Sequence, residues 1–365
     1  MGRIGIVFGT RPEAIKMAPV VKAFQATDWD TKVIVTGQHR EMLDHVLELF
    51  DITPDYDLNL MRPGQSLAEL TTAALTGVDR ILNELPVDYL LVHGDTTSAV
   101  AAALAGFYRQ IPVGHVEAGL RTGNLAHPFP EEANRKLIDQ VSSIFFAPTQ
   151  MAAENLFREG VSKERVHITG NTVVDALKMM VEPEYQFAVD GLRQLDFDRP
   201  VVVVTAHRRE NWGRPLEKIC AAVAEAAAEL AVDFVFSMHS NPRIQAVVKQ
   251  HLNGLSNVHL IDNCGYKDFI NLLSRCSFIV TDSGGLQEEG AALGRPVIVL
   301  REFTERPEAI ASGFIRLVGT NRERIVESIT ALATDIELYR SMTQGENPYG
   351  DGLAAVRIRD IILKL

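Results

Sequence analysis

The chain has 365 residues, 46% of them hydrophobic, and a formal charge of −11. That length exceeds what one core usually serves, so two domains are expected; the apolar fraction excludes a disordered chain, and the acidic balance excludes broad nucleic-acid binding, which needs a basic face. Cys220, Cys264 and Cys276 show neither CxxC pairing nor metal-ligand spacing, and no run approaches about 18 apolar residues, so the reading is a reducing, cytoplasmic setting with no signal peptide and no membrane span.

Short apolar runs predict strands at Arg3–Phe8, Lys32–Thr36, Tyr89–His93, Val113–Val116, Ile144–Ala147 and Val166–Thr169. A second set follows at Val201–Ala206, Phe234–Met238, Val258–Ile261, Phe278–Thr281 and Pro296–Leu300. Helical patterns lie between them, among them Ala14–Phe24, Ser98–Tyr108, Glu132–Val141 and Leu216–Leu230. Such alternation implies parallel sheets covered on both faces. It pauses between about Asn171 and Pro200, where Pro183, Glu184 and a charged stretch replace any apolar strand. That pause predicts a helix and connector between two doubly wound, Rossmann-like α/β domains, 1–170 and 171–350. A last helix, 351–365, is expected to pack back on the first domain. Two domains of this kind face a central cleft with the carboxyl ends of their strands, and ligands bind outside those ends.

The first strand ends in Gly9-Thr10-Arg11-Pro12-Glu13, with Pro12 suited to a first helical turn and Lys16 one turn further on. Arg11 and Lys16 can reach a phosphate; solvated surface charge is the plain reading, stronger for Lys16. Next comes His93-Gly94-Asp95-Thr96-Thr97-Ser98. Asp95 is read either as a helix N-cap or as a functional acid, since Asp, Thr and Ser all cap and three exceed the need. Glu117 and Arg121 end another strand, where a carboxylate must be paired or exposed. Glu131 and Arg135 stand four apart on one helix, which an ordinary ion pair explains.

In the second half, His207, Arg208 and Arg209 end one strand, and Arg301-Glu302-Phe303-Thr304-Glu305-Arg306 follows another. Between them lies Asp282-Ser283-Gly284-Gly285-Leu286-Gln287-Glu288-Glu289. A strand turning through Ser-Gly-Gly into a helix leaves N–H groups and a helix dipole facing outward, a fit for a nucleotide diphosphate. Glu288 and Glu289 are expected at the helix start, within reach of a ribose or sugar hydroxyl. A tight strand-to-helix turn with N-terminal glutamates is the plain alternative. The division suggests nucleotide on the second domain and acid–base chemistry on the first. There is no GxGxxG after the first strand, no GxxxxGK[ST] and no GxSxG, so neither a dinucleotide cofactor nor a P-loop is supported.

The ordered series of these segments, with Thr36-Gly37-Gln38-His39-Arg40 and Pro130-Glu131-Glu132-Ala133-Asn134-Arg135, resembles the non-hydrolysing UDP-N-acetylglucosamine 2-epimerases over nearly the whole chain. The resemblance implies a glycosyltransferase-B type fold and reversible conversion of UDP-N-acetylglucosamine to UDP-N-acetylmannosamine through loss of UDP to 2-acetamidoglucal. It implies neither cofactor nor metal, a homodimer, and supply of a cell-surface polysaccharide pathway. By motif it makes Asp95, Glu117 and Glu131 the catalytic carboxylates, with Lys16, Arg135 and His207 beside them. It makes Arg11, Ser283, Gly284, Gly285, Glu289 and Arg306 the UDP ligands, and puts Tyr266 and Phe269 in a loop that holds uracil. Gln38 and His39 match a pocket where some members bind a second, activating UDP-N-acetylglucosamine, although Glu41 and Gly64 depart from the pattern of those members. Two alternatives stay open: a 2-epimerase of a UDP-diacetamido-uronic acid, against which Lys16 counts, and a glycosyltransferase of the same fold.

Overall fold

The computed structural model describes residues 2–365 apart from 38–39, 63, 263 and 305–306. Gln38, His39 and Arg306, and the side chain of Glu41, therefore lie outside the described residues. The chain divides into two compact units, one of residues 1–176 and 349–365, the other of Leu177–Pro348.

The first unit is built on a seven-stranded sheet of β1 (Arg3–Phe8), β2 (Asp30–Val35), β3 (Tyr56–Asp57), β4 (Tyr89–His93), β5 (Val113–Val116), β6 (Ile144–Ala147) and β7 (Val166–Ile168). Every pairing is parallel, in the order β3-β2-β1-β4-β5-β6-β7. The second unit carries a six-stranded sheet of β8 (Val201–Thr205), β9 (Asp233–Ser237), β10 (Val258–Ile261), β11 (Phe278–Thr281), β12 (Val297–Val299) and β13 (Ile315–Leu317). It is also wholly parallel, in the order β10-β9-β8-β11-β12-β13. The second sheet buries its central strands completely, which is why Val201–Thr205 and Phe278–Thr281 read as unbroken apolar runs, and the first buries β1 and β4 beyond their first residue.

The eleven predicted strands form, with ends shifted by at most two residues. Two strands had no sequence signal. β3 is two residues long and only half-buried, and β13 has an exposed Arg316 at its centre. Both are sheet edges, where one flank meets solvent and the apolar pattern fails.

Each strand order reverses once, between β1 and β4 in the first sheet and between β8 and β11 in the second. At such a switch point neighbouring crossovers part to opposite faces and leave a crevice at the strands' carboxyl ends. The helices that leave these points are seated closely on their sheets. Thr97–Tyr108 follows β4 and buries Ala99, Ala101, Ala102, Ala103 and Ala105. Gly284–Ala292 follows β11, and a Cβ at Gly290 would stand 2.4 Å from Val297 Cγ2. The missing side chain is what lets that helix approach β12.

Substituting Gly290→Ala should push the helix off the sheet and lower stability in urea by about 1–3 kcal/mol, as overpacking does. A loss below about 0.5 kcal/mol would mean that the helix has room to move.

Candidate active site

At the first switch point Glu13 holds two strand ends together. Its Oε2 accepts from the N–H groups of Gly9 (2.9 Å) and Thr10 (2.7 Å), and its Oε1 accepts from Thr96 Oγ1 (2.6 Å). Gly9 and Thr10 follow β1, while Thr96 follows β4. Burial raises the pKa of this carboxyl, against the lowering effect of the same hydrogen bonds. Thr10 and Glu13 have capping-box spacing, a signal from which a role for Glu13 could have been read in the sequence but was not.

Asp95 is not the helix cap. Thr96 fills that position and accepts from Ala99 N. Asp95 instead pairs through Oδ2 with Arg135 Nη2, and its backbone carbonyl accepts from Asn134 Nδ2 at 2.8 Å. Arg135 also lies 3.3 Å from Glu132 Oε2. The i,i+4 reading of Glu131 with Arg135 gives way because a longer-range carboxylate claims the guanidinium. Glu132, fully buried, binds the N–H groups of Thr122 (3.0 Å) and Gly123 (3.1 Å) as well, a role the sequence did not suggest. Glu131 keeps Oε2 buried with no hydrogen-bond partner. It lines a cavity of about 440 Å³ together with Thr10, Arg11, Asp95 and Asn134.

Glu117 follows β5 with φ +66°, a left-handed conformation that a non-glycine residue adopts only when its surroundings impose it. Its Oε2 pairs with Lys16 Nζ, accepts from Asn171 Nδ2 at 3.0 Å and lies 3.7 Å from His93 Nε2. Lys16 is buried, so the surface-charge reading of it is overturned. A Cβ on Gly94 would sit 4.0 Å from Glu117 Oε1, which places Glu117 against the turn that carries Asp95. Beneath that turn the fully buried His115 stands between Asp139 (Nδ1 to Oδ1, 2.6 Å) and the Gly94 carbonyl (Nε2 to O, 2.8 Å). Arg121 pairs with Asp139 and Glu159. Burial works against its charge, but the two acids hold its pKa raised.

At the second switch point the buried Asp282 does for β8 and β11 what Glu13 does for β1 and β4. It accepts from His207 N (3.0 Å), Arg208 N (2.9 Å) and Asn211 Nδ2 (2.8 Å). Thr205 and Thr281 hydroxyls meet at 2.6 Å beside it. His207 Nε2 lies 3.0 Å from the Ser237 carbonyl, and its ring packs edge-on against His239 at 5.4 Å. Burial, then the neighbouring His207, lowers the pKa of His239.

Ser283 caps the helix Gly284–Ala292 by position but makes no side-chain bond to it; Gly284 is buried and Gly285 exposed at the first turn. Two sequence expectations are corrected. Glu288 and Glu289 lie in the helix's second turn rather than at its start, and Glu288 is buried. Tyr266 and Phe269 belong to the helix Tyr266–Arg275, not to a loop. Tyr266 still comes beside Glu289, with its hydroxyl 3.5 Å from Oε1. Thr304 donates to Gln287 Oε1 at 2.5 Å, which ties the segment before Arg306 to this helix.

The arrangement gives two crevices of different character. The first unit gathers Asp95, Glu117, Glu131, Lys16, Arg135 and Arg11, a set able to move protons beside an anionic substrate. The second presents a helix N-terminus, His207 and Arg208, a set able to receive an anion. Among the described residues no group of three His, Cys, Asp or Glu could hold a metal ion, and no helix is long and apolar enough to cross a membrane.

Two parallel, doubly wound sheets with polar groups at both switch points are the framework of nucleotide-binding α/β enzymes. A sequence model of the UDP-N-acetylglucosamine 2-epimerase family matches residues 22–363. A probable UDP-N-acetylglucosamine 2-epimerase of Ralstonia nicotianae is 50% identical over 366 residues, covering 98% of each chain. The UDP-N-acetylglucosamine 2-epimerase of Yersinia pestis is 50% identical over 360 residues, covering 96% of each. The crystal structure of the Neisseria meningitidis UDP-GlcNAc 2-epimerase, bound to UDP-GlcNAc, superposes over the full length of both chains with a TM-score of 0.90 at 45% identity. The chain belongs to the UDP-N-acetylglucosamine 2-epimerase family, a family of isomerases with a glycosyltransferase-B-like fold.

Asp282→Ala would strand two backbone N–H groups and an amide in a buried site. We expect about 2–4 kcal/mol of lost stability by urea unfolding. A loss under about 1 kcal/mol would show that water takes over those donors.

Proposed function

We propose that this chain inverts C2 of UDP-N-acetylglucosamine reversibly, giving UDP-N-acetylmannosamine by elimination and re-addition of UDP. The C2 proton is not next to a carbonyl, so direct abstraction is hard. Breaking the C1–O bond first sends its electron pair out with UDP and makes C1 cation-like, which acidifies C2–H. A carboxylate then takes the proton, and its C–H pair becomes the C1–C2 double bond of 2-acetamidoglucal. Delivery of a proton to the opposite face of C2, and return of a diphosphate oxygen to C1, complete the inversion.

The observation that carries this reading is the cluster at the first switch point: Asp95 beside a cavity that a buried, partnerless Glu131 oxygen also lines, with Glu117 adjoining the same turn. Three acids so placed supply proton transfer, and Lys16, Arg135 and Arg11 offset negative charge around them. Arg11, Ser283, Gly284, Gly285, Glu289, Tyr266, Phe269 and Arg306 are assigned to the UDP moiety, where fixed N–H groups and cations stabilise a departing diphosphate, and His207 is assigned, with Lys16 and Arg135, to placing the substrate or its leaving group. The epimerase of the meningococcal crystal structure holds UDP-GlcNAc, and its 45% identity supports the same substrate here.

Incubation with UDP-N-acetylglucosamine alone in D₂O should yield the manno epimer carrying deuterium at C2, read by NMR. Asp95→Asn should lower turnover about a hundredfold or more, with UDP affinity by calorimetry within about threefold. Epimer formed without deuterium, or near-normal turnover by the variant, would defeat the mechanism.

A further inference from the structure

We infer that Asn171 is a positioning residue for Glu117, and that residues 349–365 brace it from behind. This inference rests on the reading of Glu117 as a catalytic carboxylate. Asn171 is buried and follows β7, two strands across the sheet from β5. Its amide has one possible orientation. Oδ1 accepts from Val173 N at 3.0 Å, so Nδ2 is the atom turned to Glu117 Oε2, 3.0 Å away. A carboxylate can only accept, which fixes the same assignment from the other side. Lys16 and Asn171 thus meet on one oxygen of Glu117 from two different elements.

The backbone around Asn171 is anchored with equal care. Its N–H donates to the Tyr349 carbonyl at 2.8 Å. Gly170, before it, takes φ +90°, and a Cβ there would lie 3.1 Å from that same carbonyl. Asp175, one turn on, accepts from Ala354 N (3.2 Å) and Ala355 N (2.9 Å), capping the helix Ala354–Ile362. Arg357 on that helix donates to the Thr169 carbonyl at 3.1 Å. The returning C-terminal segment therefore grips residues 169–175 at several points, and Asn171 passes that fixity to Glu117. A residue held in a left-handed conformation gains from such a brace, because its carboxylate would otherwise sample other rotamers.

The test is Asn171→Asp in the full chain, a change of shape-matched groups that keeps the acceptor for Val173 N but sets a negative charge against Glu117. The expected result is a fall in kcat of about tenfold or more, with KM and UDP affinity within about threefold. The melting temperature should drop by a few degrees. The double variant Glu117→Gln/Asn171→Asp should regain it, because the amide introduced at 117 can donate to the carboxylate introduced at 171. Where the aspartate prevents folding, Asn171→Ser provides the same kcat-against-UDP comparison. A kcat within twofold of the parent, or a melting loss that the double variant does not recover, would overturn the inference. So would UDP affinity falling in step with kcat, the mark of a merely structural residue. Turnover retained by Glu117→Gln alone removes the catalytic reading of Glu117 instead, and the melting cycle then reports on the contact by itself.

Discussion

A carboxylate at the carboxyl end of a doubly covered parallel strand is partly or wholly withdrawn from bulk water, and a fully buried unpaired charge there costs several kilocalories per mole. Asp95, Glu117 and Asp282 all stand at such ends. Each is satisfied differently. Asp95 takes Arg135, Glu117 takes Lys16 and Asn171, and Asp282 takes backbone N–H groups. Those choices decide what each acid can do. Asp282 is committed to holding two strand ends, and its burial leaves nothing for a ligand. Asp95 remains a quarter exposed, its guanidinium partner on one oxygen and a cavity beside it.

The same constraint shapes the loops. At both switch points one buried carboxylate spans the crevice: Glu13 binds main-chain N–H groups after β1 and the Thr96 hydroxyl after β4, and Asp282, after β11, binds main-chain N–H groups after β8. Backbone N–H groups there have no ladder partner and must be met by something. An acid can accept several of them at once, so a single residue can set the spacing of two loops. The neighbouring residues that the proposed function assigns to the ligand, Arg11 and Asp95 in one unit and His207 and Ser283 in the other, inherit their positions from that residue.

Much of the scaffold was legible because it depends on local pattern. Central strands such as Val201–Thr205 must be apolar throughout, and the turn residues between elements are distinctive. What escaped depends on distance along the chain. Lys16 and Glu117 are 101 residues apart, and Asn171 and Glu117 are 54 apart. No spacing rule connects such pairs, so Lys16 read as surface charge and Asn171 as part of a connector. Glu131 and Arg135 failed in the opposite sense: local spacing suggested a pair, and Asp95, 40 residues from Arg135, won it. The left-handed backbone at Glu117 carried no glycine to announce it. Glu288 was misread because Ser283-Gly284-Gly285 begins the helix earlier than the run of polar residues suggested.

The acidic balance of the whole chain and the need to hold a diphosphate are compatible for the same reason. Net charge is a long-range quantity that salt screens within about 8–10 Å. Lys16 and Arg135 are buried, so each acts at short range with little water between it and its partner. Each is also neutralised in place by Glu117 or Asp95, which keeps an isolated cation out of the core. The first unit is therefore close to balanced where the proton chemistry is assigned. The first turn of Gly284–Ala292, the part assigned to the diphosphate in the proposed reaction, has Ser283 at its cap and no acidic residue, so its dipole and N–H groups meet no counter-charge there. Under the proposed reaction, a protein of net negative charge would in this way separate the binding of a leaving anion from the handling of a proton, since each task would use groups that the other does not compensate.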